Sequence, residues 1–188
     1  MAHKVLFLDT ETTSVNTEKC GLIQISGIVE IDGNPVEEFD IRSSIFPEDE
    51  VSEEALVKNG VSLEQIQFFQ PPKAAFFKLL SILKKHVDKY DKLDKFIVIA
   101  YVSSFDNAVL RSWFKKNKDD YFGSWFWNPW IDIMNLAIYV YQDRRAEFEN
   151  FKQTTVAKFV GIDIDDRKAH DALYDVAMCR EIYKTITQ

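Results

Sequence analysis

The chain has 188 residues, 46% of them hydrophobic, with 15 Phe and only 6 Gly. That excludes a disordered or low-complexity protein and fits a single domain over residues 1–188, large enough to bury a sizeable core. A net charge of −7 excludes a protein that coats nucleic acid through global positive charge, so any such contact would use bound cations and local Lys/Arg clusters.

Lys4–Leu8 is a short apolar run of strand formers ending at Asp9. Leu22–Ile31 and Val36–Arg42 follow as strands, separated by the turn Asp32-Gly33-Asn34, which suggests an antiparallel meander. Ser52–Asn59 reads as a short helix with Ser52 as N-cap and Gly60 as its stop. Pro71-Pro72 opens a longer amphipathic helix from Ala74 to about Tyr90, with Phe77, Leu80, Leu83 and Val87 expected on the inward face.

Phe96–Val102 is continuously apolar, as a buried central strand should be. Helices are expected from about Phe105 to Lys116, then over Ile131–Tyr141, Thr154–Val160 and Asp171–Ile186. The aromatic segment Tyr121–Trp130 reads as irregular: either a hydrophobic cluster under a loop or a base-stacking platform. Strands first, then helices around a buried strand, indicate an α/β fold with a mixed sheet covered by helices.

Cys20 and Cys179 form neither a metal-ligand spacing nor a disulfide framework and read as free thiols. No stretch approaches the roughly 20 apolar residues of a membrane span. Met1-Ala2-His3-Lys4 runs directly into a strand, so neither a signal peptide nor membrane association is expected and a cytoplasmic location is.

Five residues then stand out. Asp9 and Glu11 lie two apart at the end of the first strand, which puts both side chains on one face with Cα atoms roughly 6.5 Å apart. Asp106 follows the buried run Phe96–Val102 at a polar helix start, where ligand groups and ordinary helix caps both occur. His170 and Asp175 open the last helix, with His170 at the entrance and Asp175 one turn beyond Asp171. Hard oxygen donors with an imidazole nearby are what metal-dependent phosphodiester hydrolysis requires.

In this order the motifs Leu8-Asp9-Thr10-Glu11-Thr12-Thr13, Ser104-Phe105-Asp106 and His170-Asp171-Ala172-Leu173-Tyr174-Asp175 resemble the DEDDh group of 3′–5′ exonucleases, within the ribonuclease H-like superfamily. Weaker echoes are Leu22-Ile23-Gln24-Ile25-Ser26, Asn59-Gly60-Val61-Ser62 and Ile131-Asp132-Ile133, so the resemblance spans about residues 4–186. It implies a central five-stranded mixed sheet, three antiparallel strands then parallel ones, flanked by helices. It also implies two divalent cations, Mg²⁺ or Mn²⁺, held by Asp9, Glu11, Asp106 and Asp175, with His170 as the base.

By the same resemblance Thr10, Thr12 and Thr13 would line the pocket for a terminal nucleotide, with Asn59 and Phe105 beside it. Asn59, Tyr101 and Val102 depart from the family pattern and bear on substrate contacts. The substrate is expected to be 3′ ends of single-stranded or frayed DNA, with an exoribonuclease of the ribonuclease T or oligoribonuclease type as the rival. A retired interaction module is the reading from another class. Lys115, Lys116 and Lys118 could meet phosphates or form a solvated helix end. Gln65-Ile66-Gln67-Phe68-Phe69 resembles the sliding-clamp docking motif of polymerase-associated proteins, although Phe68 and Phe69 could equally be core.

Overall fold

The computed structural model describes residues 2–165 and 171–187. Its sheet has the order β3-β2-β1-β4-β5. Strand β1 (Lys4–Thr12) pairs antiparallel with β2 (Leu22–Ile31), which pairs antiparallel with β3 (Asn34–Arg42). On its other edge β1 pairs in parallel with β4 (Ile97–Ala100), and β4 with β5 (Ile131–Asp132). The expected architecture is therefore present: three antiparallel strands, then parallel ones.

The turn between β2 and β3 works because Asp32 and Gly33 both adopt positive φ, 51° and 81°. Such angles suit the tight hairpin that Asp-Gly favours.

Alternation along β1 sorts its side chains between two cores. Leu6 and Leu8 join a cluster with Val98, Leu79, Leu83, Val109 and Trp113. Val5 and Phe7 join a second cluster with Ile99, Ala137, Val156, Val176 and Ile182. The first core lies under α3 (Pro72–His86) and α4 (Ser103–Lys116), the second under α6 (Ile133–Val140), α7 (Gln153–Phe159) and α8 (Ala172–Thr187). The result is a helix–sheet–helix sandwich. Short helices α1 (Glu53–Lys58), α2 (Leu63–Gln67) and α5 (Phe122–Trp125) fill the connections.

Several expectations need correction. The stripe that α3 buries is Phe76, Leu79, Leu80 and Leu83, whereas Phe77 is exposed. A 3.6-residue period leaves such a choice open by one position when adjacent residues are both Phe. That helix ends at His86, because Val87 turns extended to enter the core. The run Phe96–Val102 supplies only four strand residues, and Ile131–Asp132 is a strand before its helix. Phe68 is solvent-exposed rather than core, while Phe69 lies beneath the Arg42 guanidinium.

The aromatic segment resolves toward core. Phe122, Trp125, Phe126 and Trp130 are buried, with Phe114 meeting Phe122 edge-on at 5.3 Å between ring centroids. Cys20 and Cys179 are free and buried in different cores. Among the described residues no helix is long and apolar enough to cross a membrane.

Candidate metal centre

Strand parity builds the centre. Odd-numbered residues of β1 face α8, so Asp9 and Glu11 continue the line of Val5 and Phe7 beyond the end of the second core. There they meet Asp175 from the first turn of α8. One carboxylate oxygen from each of Asp9, Glu11 and Asp175 lies within 4.8 Å of the others. The even residue Thr10 faces α4 instead, where its hydroxyl donates to Asp106 Oδ1 at 2.7 Å. Asp106 thus comes from the other face of the strand and stands outside that group of three.

The helices carrying these groups are held by side chains near the site. Asp132 caps two helices at once. Its Oδ2 accepts the Ser103 backbone N–H at 2.8 Å, which opens α4, and its Oδ1 accepts Asn135 N–H at 2.9 Å, which opens α6. At the start of α8, Asp171 Oδ1 accepts the Tyr174 N–H. Gln153 of α7 donates to the Asp175 carbonyl at 2.6 Å. Farther along α8, Arg180 Nε reaches the buried Glu30 of β2 at 2.6 Å, and Lys184 Nζ lies 3.3 Å from the same oxygen.

Clustering these acids without a cation favours their protonated forms. Burial, then the carboxylates of Asp106, Glu11 and Asp175, raises Asp9 well above the ordinary carboxylate range. Burial pushes Glu11 up to about 8, with Asp175 and Asp106 adding to the rise and Lys58 opposing it. Asp106 rises to about 7 through burial, and the Thr10 hydrogen bonds hold it back. A dense set of oxygen donors that cannot all ionise alone is well matched to a hard divalent cation. The donor set therefore fits the metal that the motifs imply.

The remaining expected site residues fall into place unevenly. Asn59, the C-cap of α1, donates Nδ2 to the Thr12 carbonyl at 2.9 Å, tying that helix to the end of β1. Thr12 turns its hydroxyl to the Ser14 carbonyl. The Thr13 side chain is wholly buried, donating to the Glu50 carbonyl and accepting the Gly21 N–H at 2.7 Å. Its hydroxyl is committed inside the fold rather than presented to a ligand. Phe105 is half-buried against the first core. Tyr101 is buried with its hydroxyl on the Phe151 carbonyl, while Val102 is exposed. His170 lies outside the described residues.

Two lysines change standing. Lys58, at the end of α1, is the cation that favours ionised Asp9 and Glu11, and no motif of its own marks it. Its only signal was adjacency to Asn59-Gly60. Lys116 is drawn inward to the Cys20 carbonyl at 2.8 Å and to the buried Asp49 side chain, which takes it out of the group available to phosphates.

A family model described as an exonuclease, RNase_T, matches residues 6–183. The chain belongs to this exonuclease family. No curated protein sequence matches it. Among solved structures, the chain is similar to E. coli exonuclease I in complex with a dT13 oligonucleotide, at 18% identity and a TM-score of 0.78. That alignment covers 99% of this chain and 41% of the other. The zinc-bound form of the E. coli exonuclease I complex with single-stranded DNA gives 19% identity and a TM-score of 0.78, over 100% and 41% of the two chains. A product-bound exonuclease I gives 17%, 0.76, 100% and 44%. The chain thus spans about two-fifths of the length of those chains, and at such identities the likeness is one of fold. Family and fold are those the three motifs implied.

Proposed function

We propose that the chain is a metal-dependent 3′–5′ exonuclease that releases nucleoside monophosphates from single-stranded or frayed DNA ends, within a single catalytic domain. The observation that carries this reading is the convergence of Asp9, Glu11 and Asp175, with Asp106 bonded to the intervening Thr10. Membership of an exonuclease family supports the reaction class. Support for DNA comes from fold neighbours solved with DNA oligonucleotides.

Two Mg²⁺ or Mn²⁺ ions would supply charge stabilisation for both the attacking and the leaving oxygen. Asp9, half-buried between the other acids, would be the ligand common to both ions. Glu11 and Asp175 complete the site from the α8 side and Asp106 from the α4 side. Thr10 holds the Asp106 carboxylate in one orientation. His170, whose ordinary pKa lies near neutrality, accepts the proton of the attacking water. Thr10 and Thr12, whose hydroxyls are bonded inside the fold, are assigned to the terminal nucleotide through their backbone, with Asn59 and Phe105 beside them and Thr13 supporting them through the chain it anchors. The free thiols support a reducing, cytoplasmic setting.

The segment 65–69 lends no support to a clamp or polymerase partner, because Ile66 is fully buried and Gln65 closes the capping box of α2.

The test is hydrolysis of matched 5′-labelled single-stranded DNA and RNA with Mg²⁺, with Mn²⁺ and with chelator. A ladder shortening from the 3′ end of DNA, dependent on metal, is expected. Preferential digestion of RNA would reassign the substrate. Immediate release of the 5′ label, or Mn²⁺ binding without any hydrolysis, would overturn the proposal.

A further inference from the structure

At the end of the sheet remote from the carboxylates lies a surface that the proposed chemistry does not use. Residues 84–95 carry five lysines, Lys84, Lys85, Lys89, Lys92 and Lys95, against three aspartates in a chain of net charge −7. Lys4, which opens β1, bonds both the His86 carbonyl and Asp94, fixing this segment at the start of the strand. Lys4 and Asp9 are five strand positions apart, about 17 Å.

The lysines are interleaved with exposed aromatic rings. Lys89 Nζ sits 5.1 Å from the Tyr90 ring centroid and 4.7 Å from that of Tyr121. Lys95 Nζ lies 5.3 Å from the Trp127 centroid and donates to the Gly123 carbonyl at 2.6 Å. Tyr90 is 83% exposed, Tyr121 60% and Trp127 39%. Tyr90 and Tyr121 stand largely in water and Trp127 partly so, an exposed aromatic patch of the kind that marks an interaction site.

Glu37 pairs with Lys85, whereas no ion pair is found for Lys89, Lys92 or Lys95 among the described residues. Asp88 and Asp91 accept the backbone N–H groups of Tyr90 and Leu93, Asp119 accepts that of Tyr121, and Asp94 pairs with Lys4. These carboxylates keep their charge but are held to the backbone by their hydrogen bonds, whereas Lys92 and the rings are exposed.

From this we infer that Lys89, Tyr90, Lys92, Lys95, Tyr121 and Trp127 form a second contact for single-stranded nucleic acid, gripping the strand upstream of the 3′ end held at the carboxylates. Rings that stack on any base, beside ammonium groups that meet phosphates, bind single strands without reading sequence. The inference rests on the exonuclease reading for its direction along the strand but not for the contact itself. Its consequence is a length preference: a dinucleotide engages only the carboxylate site, while a longer strand engages both.

Binding of a fluorescent DNA of about 15 nucleotides, a length within the range of single-strand sites, is measured in chelator so that nothing is cleaved. The variant Lys89→Gln/Tyr90→Ala/Tyr121→Ala is expected to bind at least about tenfold more weakly. Lys92→Gln alone should reduce the slope of log affinity against log salt by about 0.7. Hydrolysis of a dinucleotide should be unchanged in both variants. Wild-type affinity and salt slope in both variants would overturn the proposal and leave this face to a protein partner. An equal loss on dinucleotide and long strand would also overturn it, as a general effect on the enzyme. Because binding is read without turnover, absence of hydrolysis in the wild type would count against the exonuclease reading alone.

Discussion

Thr10 and Asp106, ninety-six positions apart, are joined by a buried 2.7 Å hydrogen bond from the threonine hydroxyl to the carboxylate. It crosses β1, so the acid delivered by α4 is oriented by the same strand that presents Asp9 and Glu11 on its other face. Thr10→Val keeps the shape of the side chain but removes the donor. Ionised Asp106 then loses support, and its pKa should rise above about 7. The acid limb of the pH–rate profile should move to higher pH, and Mn²⁺ affinity near pH 7 should drop about tenfold, as titration would show.

Protonation also governs stability. Glu11 and Asp106 have pKa values of about 8 and 7 in the fold against ordinary values of 4.5 and 3.8. The folded chain therefore holds protons that the unfolded chain releases. This contribution is fully present below about pH 4 and is lost as pH rises through 7 and 8. Melting in chelator should show a lower Tm at pH 8.5 than at pH 5.5. A shift of about 2–4 °C is expected for each kcal/mol lost. Excess Mg²⁺ or Mn²⁺ should shrink the difference and release protons on binding, which calorimetry in two buffers would detect.

Asp175→Asn separates function from stability. Removing a proposed metal ligand should reduce the rate by more than the about 10–100-fold typical of groups that only orient a ligand. The same change relieves repulsion among Asp9, Glu11 and Asp175. In chelator at pH 8.5 the variant should melt above the wild type. His170→Ala should behave differently, leaving Mn²⁺ binding nearly intact while the rate drops by about 10²–10⁴-fold.

Arg180 anchors the helix that carries Asp175. Its Nε–Oε1 contact with Glu30 is largely buried on both sides, and Lys184 supports the same carboxylate. Arg180→Met should destabilise the protein by about 3 kcal/mol in urea unfolding, since a buried acid loses its main partner. Glu30→Gln should act in the same direction by leaving two cations facing a neutral amide.

Much of this was legible locally. Asp9 and Glu11 two apart in a strand, Asp106 after an apolar run and Asp175 in the first turn of a terminal helix name the proposed ligands and the elements that hold them. Alternation in Val5-Leu6-Phe7-Leu8 already implied a strand covered on both faces. The hairpin was readable from Asp32-Gly33, whose backbone angles few other pairs adopt without strain.

Other features depended on partners distant in sequence. Phe76 and Phe77 are indistinguishable to a helical pattern, and only packing against Trp113 and Phe114 chose Phe76. Lys116 looked available for phosphate until buried Asp49 claimed it. The aromatic run 121–130 divided between core and surface because Phe114 and Phe96 could cover only part of it. Sequence by itself determined which chemical groups the chain possesses and the order of elements carrying them, because ligand type and side-chain period are local properties. Tertiary structure decided which side of β1 each acid approaches, which charges are already paired and which rings remain in water, because burial is set by whatever the rest of the chain brings alongside.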